Sequence, residues 1–201
     1  MQTPKQKAGV LIEALPYINE FRGTTVVIKI GGAALDDLHL RERFAQDLIL
    51  LSWVGIRVVV VHGGGKQISG MLDRLGIVPD FCDGQRVTDA GTLEVVEMVL
   101  GGQLNKEVVR LIQNLGGRSV GITGKDGGLV VAKRRGGTPD LGLVGDVVAV
   151  NTEVLQHLLP EFIPVLAPLA LIPEGETLNI NADPFASALD EIGRASCRER
   201  V

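Results

Sequence analysis

The chain has 201 residues, with 24 acidic and 20 basic side chains and a net charge of −4. This balance lacks the basic excess of nucleic-acid-binding proteins, and the longest apolar run, residues 162–172, is too short to span a bilayer. We therefore expect neither a nucleic acid nor a membrane as a partner. Cys82 and Cys197 have no metal or disulfide spacing, which favours a cytoplasmic location.

The first half of the chain alternates between helical and strand patterns. An apolar stripe over residues 10–21 predicts a short helix containing Pro16. The β-branched run at 24–30 predicts a buried central strand, and residues 56–61 predict a second one, with a helix capped by Asp36 or Asp37 between them. A helix ending at Gly76 follows, so the order is that of parallel βαβ units.

The second half continues this pattern with shorter elements. In chain order it predicts a hairpin at 78–87, helices at 89–100 and 103–115, a strand at 119–123, short β segments over 124–150, a helix at 152–159, one buried strand at 162–172, and a last helix from about Pro184. Together with 26 glycines and few aromatic residues, these elements predict an α/β fold.

The last eleven residues differ from the rest of the chain. Residues 191–201 read EIGRASCRERV and contain five charges. This string resembles the translation of a sequencing-library adapter, and we expect it to be an artefact rather than part of the fold. The predicted organisation is an N-terminal helical extension at 1–23, a folded unit at 24–190, and an artefactual tail at 191–201.

Two glycine-rich turns follow the predicted parallel strands. Lys29 stands near the end of the first strand, before Gly31 and Gly32, where backbone N–H groups can approach a phosphate closely. The second turn, at 62–66, reads HGGGK and opens a helix. It matches neither the Walker A nor the dinucleotide pattern. Each turn could instead be a plain connection, and we expect His62 to be a structural hydrogen-bonding residue rather than a base.

Two further segments carry polar side chains that suit an anionic ligand. Arg86 lies in a glycine-marked loop and could hold a carboxylate, or it could pair with Asp83 or Asp89. The segment NINAD at 179–183 places alternate polar side chains on one face if it is extended, or forms a capping turn. The residues alone predict an α/β protein that binds a small anionic, phosphorylated ligand.

Five motifs in this order resemble one family. VVIKIGG at 26–32, VVVHGGGKQI at 59–68, DGQRVTD at 83–89, GKDGG at 124–128 and NINAD at 179–183 are similar to those of the acetylglutamate kinases, within the amino acid kinase family. The resemblance covers about residues 10–190. One departure is Gln85, which stands where a leucine is usual.

The resemblance implies a three-layer αβα sandwich with a mainly parallel sheet. It also implies ATP-dependent phosphorylation of the γ-carboxylate of N-acetyl-L-glutamate, the second step of arginine biosynthesis, with Mg²⁺ carried by ATP and no metal site of the protein. The roles it carries over are catalysis for Lys29 and Asp183, phosphate binding for Gly31 and Gly32, and substrate binding for Gly64, Gly65, Arg86 and Asn179.

The resemblance also sets expectations about the assembly. The nucleotide-binding lobe of the family is absent, so we expect the chain alone to be inactive. The N-terminal helix resembles an extension that interlaces dimers into arginine-inhibited hexamers, with Tyr17 near the effector, and it raises a PII-type signalling protein as a partner. The alternatives are another amino acid kinase, or a non-catalytic module that binds acetylglutamate or arginine.

Overall fold

A computed structural model describes residues 3–31 and 33–198 of the chain. The helices are α1 (Pro4–Phe21), α2 (Ala33–Asp36), α3 (Leu38–Trp53), α4 (Gly65–Arg74), α5 (Ala90–Glu97), α6 (Asn105–Asn114), α7 (Glu153–Leu158) and α8 (Ala182–Arg198). The strands are β1 (Thr25–Ile30), β2 (Arg57–His62), β3 (Phe81–Cys82), β4 (Gln85–Arg86), β5 (Ser119–Thr123), β6 (Val130–Arg134), β7 (Val144–Val150), β8 (Ile163–Ala167), β9 (Leu169–Leu171) and β10 (Thr177–Ile180). A π-helix (Met98–Leu104) joins α5 to α6, and a 3-10 helix (Asp126–Gly128) follows β5.

The main sheet is parallel and has the strand order β1-β2-β8-β5. Its registers pair Ile30 with His62 at one side and Thr123 with Ala167 at the other. Because all four strands run the same way, their carboxyl ends lie along one edge of the sheet. Both predicted glycine-rich turns therefore follow strands that end at this edge.

Two apolar cores lie on the two faces of this sheet. One core joins the sheet to the helices α3, α4, α5 and α6, and includes Leu48, Leu72 and Ile112. The other joins it to α7, α8 and the second sheet, and includes Leu155 and Phe185. The predicted α/β class, with helices on both faces of a parallel sheet, is confirmed.

A second group of strands closes on itself in the order β10-β7-β6-β9. Its strand β9 follows β8 after a single residue, Pro168, so the single strand predicted over 162–172 is wrong. Proline has no N–H and breaks a strand ladder. Here it divides the run into one strand for each sheet, and its carbonyl accepts a hydrogen bond from Ile180 N (3.0 Å).

Strand β1 is an edge strand within the described part of the chain, where it pairs only with β2. The prediction that it is central is therefore wrong for these residues. Its side chains alternate, with Val26 and Ile28 packed against one core and Val27 against the other. The apolar run reflects burial on both faces rather than a neighbour on both edges.

The segment from α5 to α6 is continuous, whereas the sequence predicted two helices with a break near Gly101 and Gly102. The π-helix carries the chain through these glycines. A Cβ on Gly101 would lie 3.5 Å from Thr123 Cγ2, an ordinary van der Waals distance, so the π-helix packs against β5 at this point. Glycine pairs usually end helices, and these two glycines do not.

The ends of the chain are helical. Helix α1 begins at Pro4, earlier than predicted, because the Thr3 and Gln6 side chains form a capping box. Helix α8 continues through 191–198 of the predicted tail, and 199–201 lie outside the described residues. No helix within the described ranges has the length and hydropathy needed to cross a bilayer. The three predicted domain boundaries remain predictions.

Candidate active site at the carboxyl edge of the sheet

A cavity of about 300 Å³ opens at the carboxyl edge of the parallel sheet. Its lining combines backbone-exposing glycines with polar side chains from separate parts of the chain. The predicted site residues in this lining are Lys29, Gly31, Gly64, Gly65, Arg86, Asn179 and Asp183, and Gly32 lies outside the described residues. The fold therefore brings together every described residue that the sequence singled out as a site.

Lys29 and Asp183 form an ion pair at this cavity. The Lys29 Nζ lies 3.0 Å from Asp183 Oδ1, with the two side chains 38% and 70% exposed. The ammonium also stands close to the turn after β1, since a Cβ on Gly31 would lie 3.5 Å from Nζ. The pair thus places a positive charge beside a glycine turn, an arrangement that can bind an anion.

The turn at 63–65 packs against leucine side chains of the π-helix. Gly63 N donates to Ile30 O (2.8 Å), which ties this turn to the end of β1. A Cβ on Gly64 would lie 2.5 Å from Leu100 Cδ2 and 2.9 Å from Leu104 Cδ2, so no larger residue fits without a shift. Helix α4 begins at Gly65, and its N-terminus adds a partial positive charge beside the cavity.

Arg86 is a buried side chain with an unpaired nitrogen. It is 9% exposed, and its Nη2 donates to Gly65 O (3.1 Å) and Ser69 Oγ (2.8 Å). The guanidinium also lies 4.6 Å from the Phe81 ring centroid. Its Nη1 is buried and has no hydrogen-bond partner. Removal from water lowers the pKa of this guanidinium below its usual value.

The alternative role for Arg86, pairing with nearby aspartates, is not what the structure shows. The Asp89 carboxylate instead caps helix α5 by accepting from Thr92 N (2.7 Å), and hydrogen bonding with the side chain and then the backbone of Thr92 lowers the pKa of Asp89. Since a buried guanidinium nitrogen without a partner is costly, Arg86 is best explained by an anion that completes its hydrogen bonding.

Asn179 and its neighbours close the far side of the cavity. The Asn179 Nδ2 donates to Thr88 Oγ1 (3.2 Å), which joins β10 to the loop after Arg86. The Asn181 Oδ1 accepts from Asp183 N (2.9 Å). The prediction that 179–183 is extended is wrong beyond Ile180, because helix α8 begins at Ala182 and Asn181 caps it, as the alternative predicted. Asn179, Asn181 and Asp183 nevertheless all line the cavity.

Several residues of this site were not identified from the sequence. Ser69 and Thr88 hold Arg86 and Asn179 by hydrogen bonds, and Phe81 lies against the guanidinium. Thr88 lies within a recognised motif and could have been assigned a role. Ser69 and Phe81 carried no local signal, because their roles depend on contacts across the fold.

No group of three or more His, Cys, Asp or Glu side chains that could hold a metal ion occurs in the part of the chain that the structure describes.

Comparisons with known proteins identify the family of the chain. The chain matches the model of the amino acid kinase family over residues 24–194. Relatives named acetylglutamate kinase, from Desulforamulus reducens and Heliobacterium modesticaldum, are 54% and 52% identical over 94% of this chain. The matches cover 67% and 68% of those relatives, so the chain spans about two thirds of their length.

The fold of the chain is similar to that of several solved structures. The N-acetylglutamate synthase of Neisseria gonorrhoeae, complexed with coenzyme A and N-acetyl-glutamate, superposes with a TM-score of 0.77 at 27% identity, over 90% of this chain and 42% of that one. A Giardia carbamate kinase shares the fold at 14% identity, with a TM-score of 0.57 over 86% of this chain and 69% of that one. Because the family match extends over most of the chain, this protein belongs to the amino acid kinase family.

Proposed function

We propose that the cavity binds N-acetyl-L-glutamate. The observation that carries this proposal is Arg86, whose buried Nη1 lacks a partner in a cavity that glycine backbone also lines. A carboxylate would complete the hydrogen bonding of the guanidinium. The Asn179 amide, across the cavity, can recognise the acetyl-amide group. The relatives named acetylglutamate kinase support this choice of amino acid.

The reaction that follows is ATP-dependent phosphorylation of the γ-carboxylate, in the cytoplasm, as a step of arginine biosynthesis. Attack of one anion on another needs no protein nucleophile, and depends on positioning and charge neutralisation. Lys29 neutralises charge on the transferring phosphoryl group, and backbone N–H groups at 31–32 bind it. Asp183 orients Lys29 across their 3.0 Å contact. Mg²⁺ is carried by the ATP phosphates.

A direct test measures binding to the chain as it stands by titration calorimetry. We expect binding of N-acetyl-L-glutamate, with weaker binding of glutamate, aspartate and carbamate. The Arg86→Ala variant should raise the Kd about thirtyfold or more, because truncating one partner of a buried ionic contact costs about 2–5 kcal/mol. The matched Arg74→Ala variant, on the exposed end of α4, should not change it. An unchanged Kd in Arg86→Ala would exclude this site.

A second candidate function is a binding module without catalysis. It is favoured by the convergence of the predicted amino-acid-binding residues, Gly64, Gly65, Arg86 and Asn179, on one cavity. A gonococcal synthase structure complexed with L-arginine also superposes, with a TM-score of 0.71 at 27% identity, over 88% of this chain and 43% of that one. Binding of acetylglutamate without turnover, both in this chain and in one extended to the relatives' length, would select the module.

Helix α1 supports an oligomeric assembly. Its apolar side chains Leu11 and Leu15, four residues apart and therefore on one face of the helix, are 69% and 50% exposed. We propose that this face packs on α1 of a second copy, as part of an arginine-sensitive homo-oligomer. Analytical ultracentrifugation of the chain with and without residues 1–23 tests this. A mass that is independent of α1 would contradict it.

A further inference from the structure

The fully buried His62 has no role in the proposed chemistry, yet it stands directly before the glycine turn. Its Nδ1 lies 3.0 Å from Gly63 O, and its Nε2 lies 3.2 Å from Asn105 Nδ2. A carbonyl oxygen only accepts a hydrogen bond, and an amide nitrogen only donates one. These two partners are satisfied together by a neutral ring with its proton on Nδ1.

The orientation of the Asn105 amide is itself fixed by its neighbours. Its Nδ2 faces two further acceptors, Val165 O at 2.9 Å and Ile122 O at 3.3 Å, while its Oδ1 accepts from Lys106 Nζ at 3.1 Å. A flipped amide would oppose both carbonyls and the ammonium. The amide therefore presents a donor to His62.

This amide connects three strands of the main sheet below the cavity. It contacts His62 on β2, Val165 on β8 and Ile122 on β5. Space for it exists only because residue 121 is glycine, since a Cβ there would overlap Asn105 Oδ1. The Lys106 ammonium donates to Gly121 O (2.8 Å) and completes the arrangement.

The π-helix places both the amide and the apolar support of the turn. Asn105 is the residue directly after it, and Leu100 and Leu104 within it pack under Gly64. One irregular helical turn thus contacts the glycine segment twice, through side-chain packing and through the hydrogen bond to His62. π-helical turns of this kind are frequent at functional sites.

We infer that Asn105 and His62 are positioning residues for the site. Asn105 holds His62 as the neutral Nδ1–H tautomer, and His62, through Gly63 O, holds the 63–65 turn in the shape that receives the amino acid. The identity of that ligand rests on the function proposed above. Burial and the positive charge of Lys106 both lower the pKa of His62, which agrees with a neutral ring.

The first test needs no substitution. Long-range ¹H–¹⁵N correlation spectra of the labelled chain report which ring nitrogen carries the proton. The chain has three histidines, and His39 and His157 are exposed, so single Gln variants of those two assign the buried ring. We expect a protonated Nδ1 and an unprotonated Nε2 for His62. A proton on Nε2 in the unsubstituted chain would overturn the inference.

The second test compares Asn105→Asp with Asn114→Asp, the same change at an exposed position of α6. The carboxylate that Asn105→Asp introduces accepts but cannot donate, so it opposes the carbonyls of Val165 and Ile122 and removes the donor that holds His62 Nε2. We expect the amide resonances of 63–65 to shift and the Kd for N-acetyl-L-glutamate to rise about tenfold or more. The Asn114→Asp control should change neither.

The outcomes separate this inference from the proposed function. Unchanged 63–65 resonances in Asn105→Asp would overturn the positioning role. If Asn105→Asp does not fold, acidification of the unsubstituted chain supplies the same readout, since protonation of His62 should shift the 63–65 amides. If these amides shift but neither the unsubstituted chain nor any variant binds acetylglutamate, the positioning role is supported and the proposed ligand is rejected.

Discussion

The Lys29 ammonium and the Asp183 carboxylate meet at 3.0 Å between the end of β1 and the first turn of α8. Both side chains are partly exposed, so the pair contributes little to folding, about 0–1 kcal/mol. Its effect is on geometry, because it limits the rotamers of a flexible lysine and directs the charge at the turn after β1. We therefore propose that Asp183 is a positioning residue for Lys29.

Replacing Lys29 should separate catalysis from binding. In a chain extended to the length of its kinase relatives, we expect Lys29→Ala to lower turnover roughly a hundredfold or more, since one such electrostatic donor is worth about 2.7–4 kcal/mol in the barrier. The Kd for acetylglutamate should change less. Steady-state kinetics measure both, with Lys133→Ala on β6 as the exposed control. Near-normal turnover would remove Lys29 from the mechanism.

Two glycines of one segment should respond oppositely to alanine. At Gly64 a Cβ would meet Leu100 and Leu104, so Gly64→Ala should lower the free energy of unfolding by about 1–3 kcal/mol through overpacking. Gly70 lies within α4, and a methyl group added there would have no atom from outside the helix backbone within 4 Å. Gly70→Ala should therefore raise the free energy of unfolding by about 0.5–1 kcal/mol. Urea denaturation measures both. Equal effects would contradict the packing around Gly64.

The stability of the chain should fall on acidification below pH 6.5 because of His62. Its pKa is lowered in the folded state, so below 6.5 the unfolded chain binds a proton that the folded chain does not. The free energy of unfolding then decreases with falling pH, by at most about 1.4 kcal/mol per pH unit, until the folded pKa is reached. Urea denaturation between about pH 7.5 and 5.5 should show this slope. The decrease of the free energy of unfolding with falling pH should be lost in His62→Gln and kept in His157→Gln.

Gly121 and Asn105 should be energetically coupled. Gly121→Ala introduces a methyl group that overlaps Asn105 Oδ1 and lies 2.9 Å from Val109 Cγ2, so it should destabilise the chain by about 1–3 kcal/mol. In the double variant with Asn105→Ala, part of this cost should disappear because the overlapping atom is gone. A double-mutant cycle measures the coupling, which we expect to be about 0.5 kcal/mol or more. Additive effects would argue against the close approach.

Local patterns predicted most of the fold. The strands at 25–30, 57–62 and 119–123, the hairpin at 81–86 and helix α7 follow from β-branched runs, turn residues and apolar spacing. The predictions that failed needed non-local information. The division of residues 162–172 depends on which sheet each half joins, and the π-helix that continues through Gly101 runs against the local signal of two glycines.

In the candidate site, too, some residues could be identified from local motifs and others only from the fold. Lys29, Arg86 and Asn179 could be identified because each carries chemistry within a recognisable motif. Asn105 could not, because an asparagine within an amphipathic helix is ordinarily a surface residue, and nothing local indicates that three strands surround it. Residues whose role is support are found only when the fold is known.

The π-helix before Asn105 also sets the rotational phase of everything that follows it. A π-helical turn holds more residues than an α-helical turn, so deleting one residue between 98 and 104 would rotate α6 relative to α5. The Asn105 amide would then leave the sheet, although composition and helix content would hardly change. The number of residues between α5 and α6 must therefore stay fixed, whatever the residue types in this segment are. Relatives that are one residue shorter here would need a different partner for the buried histidine.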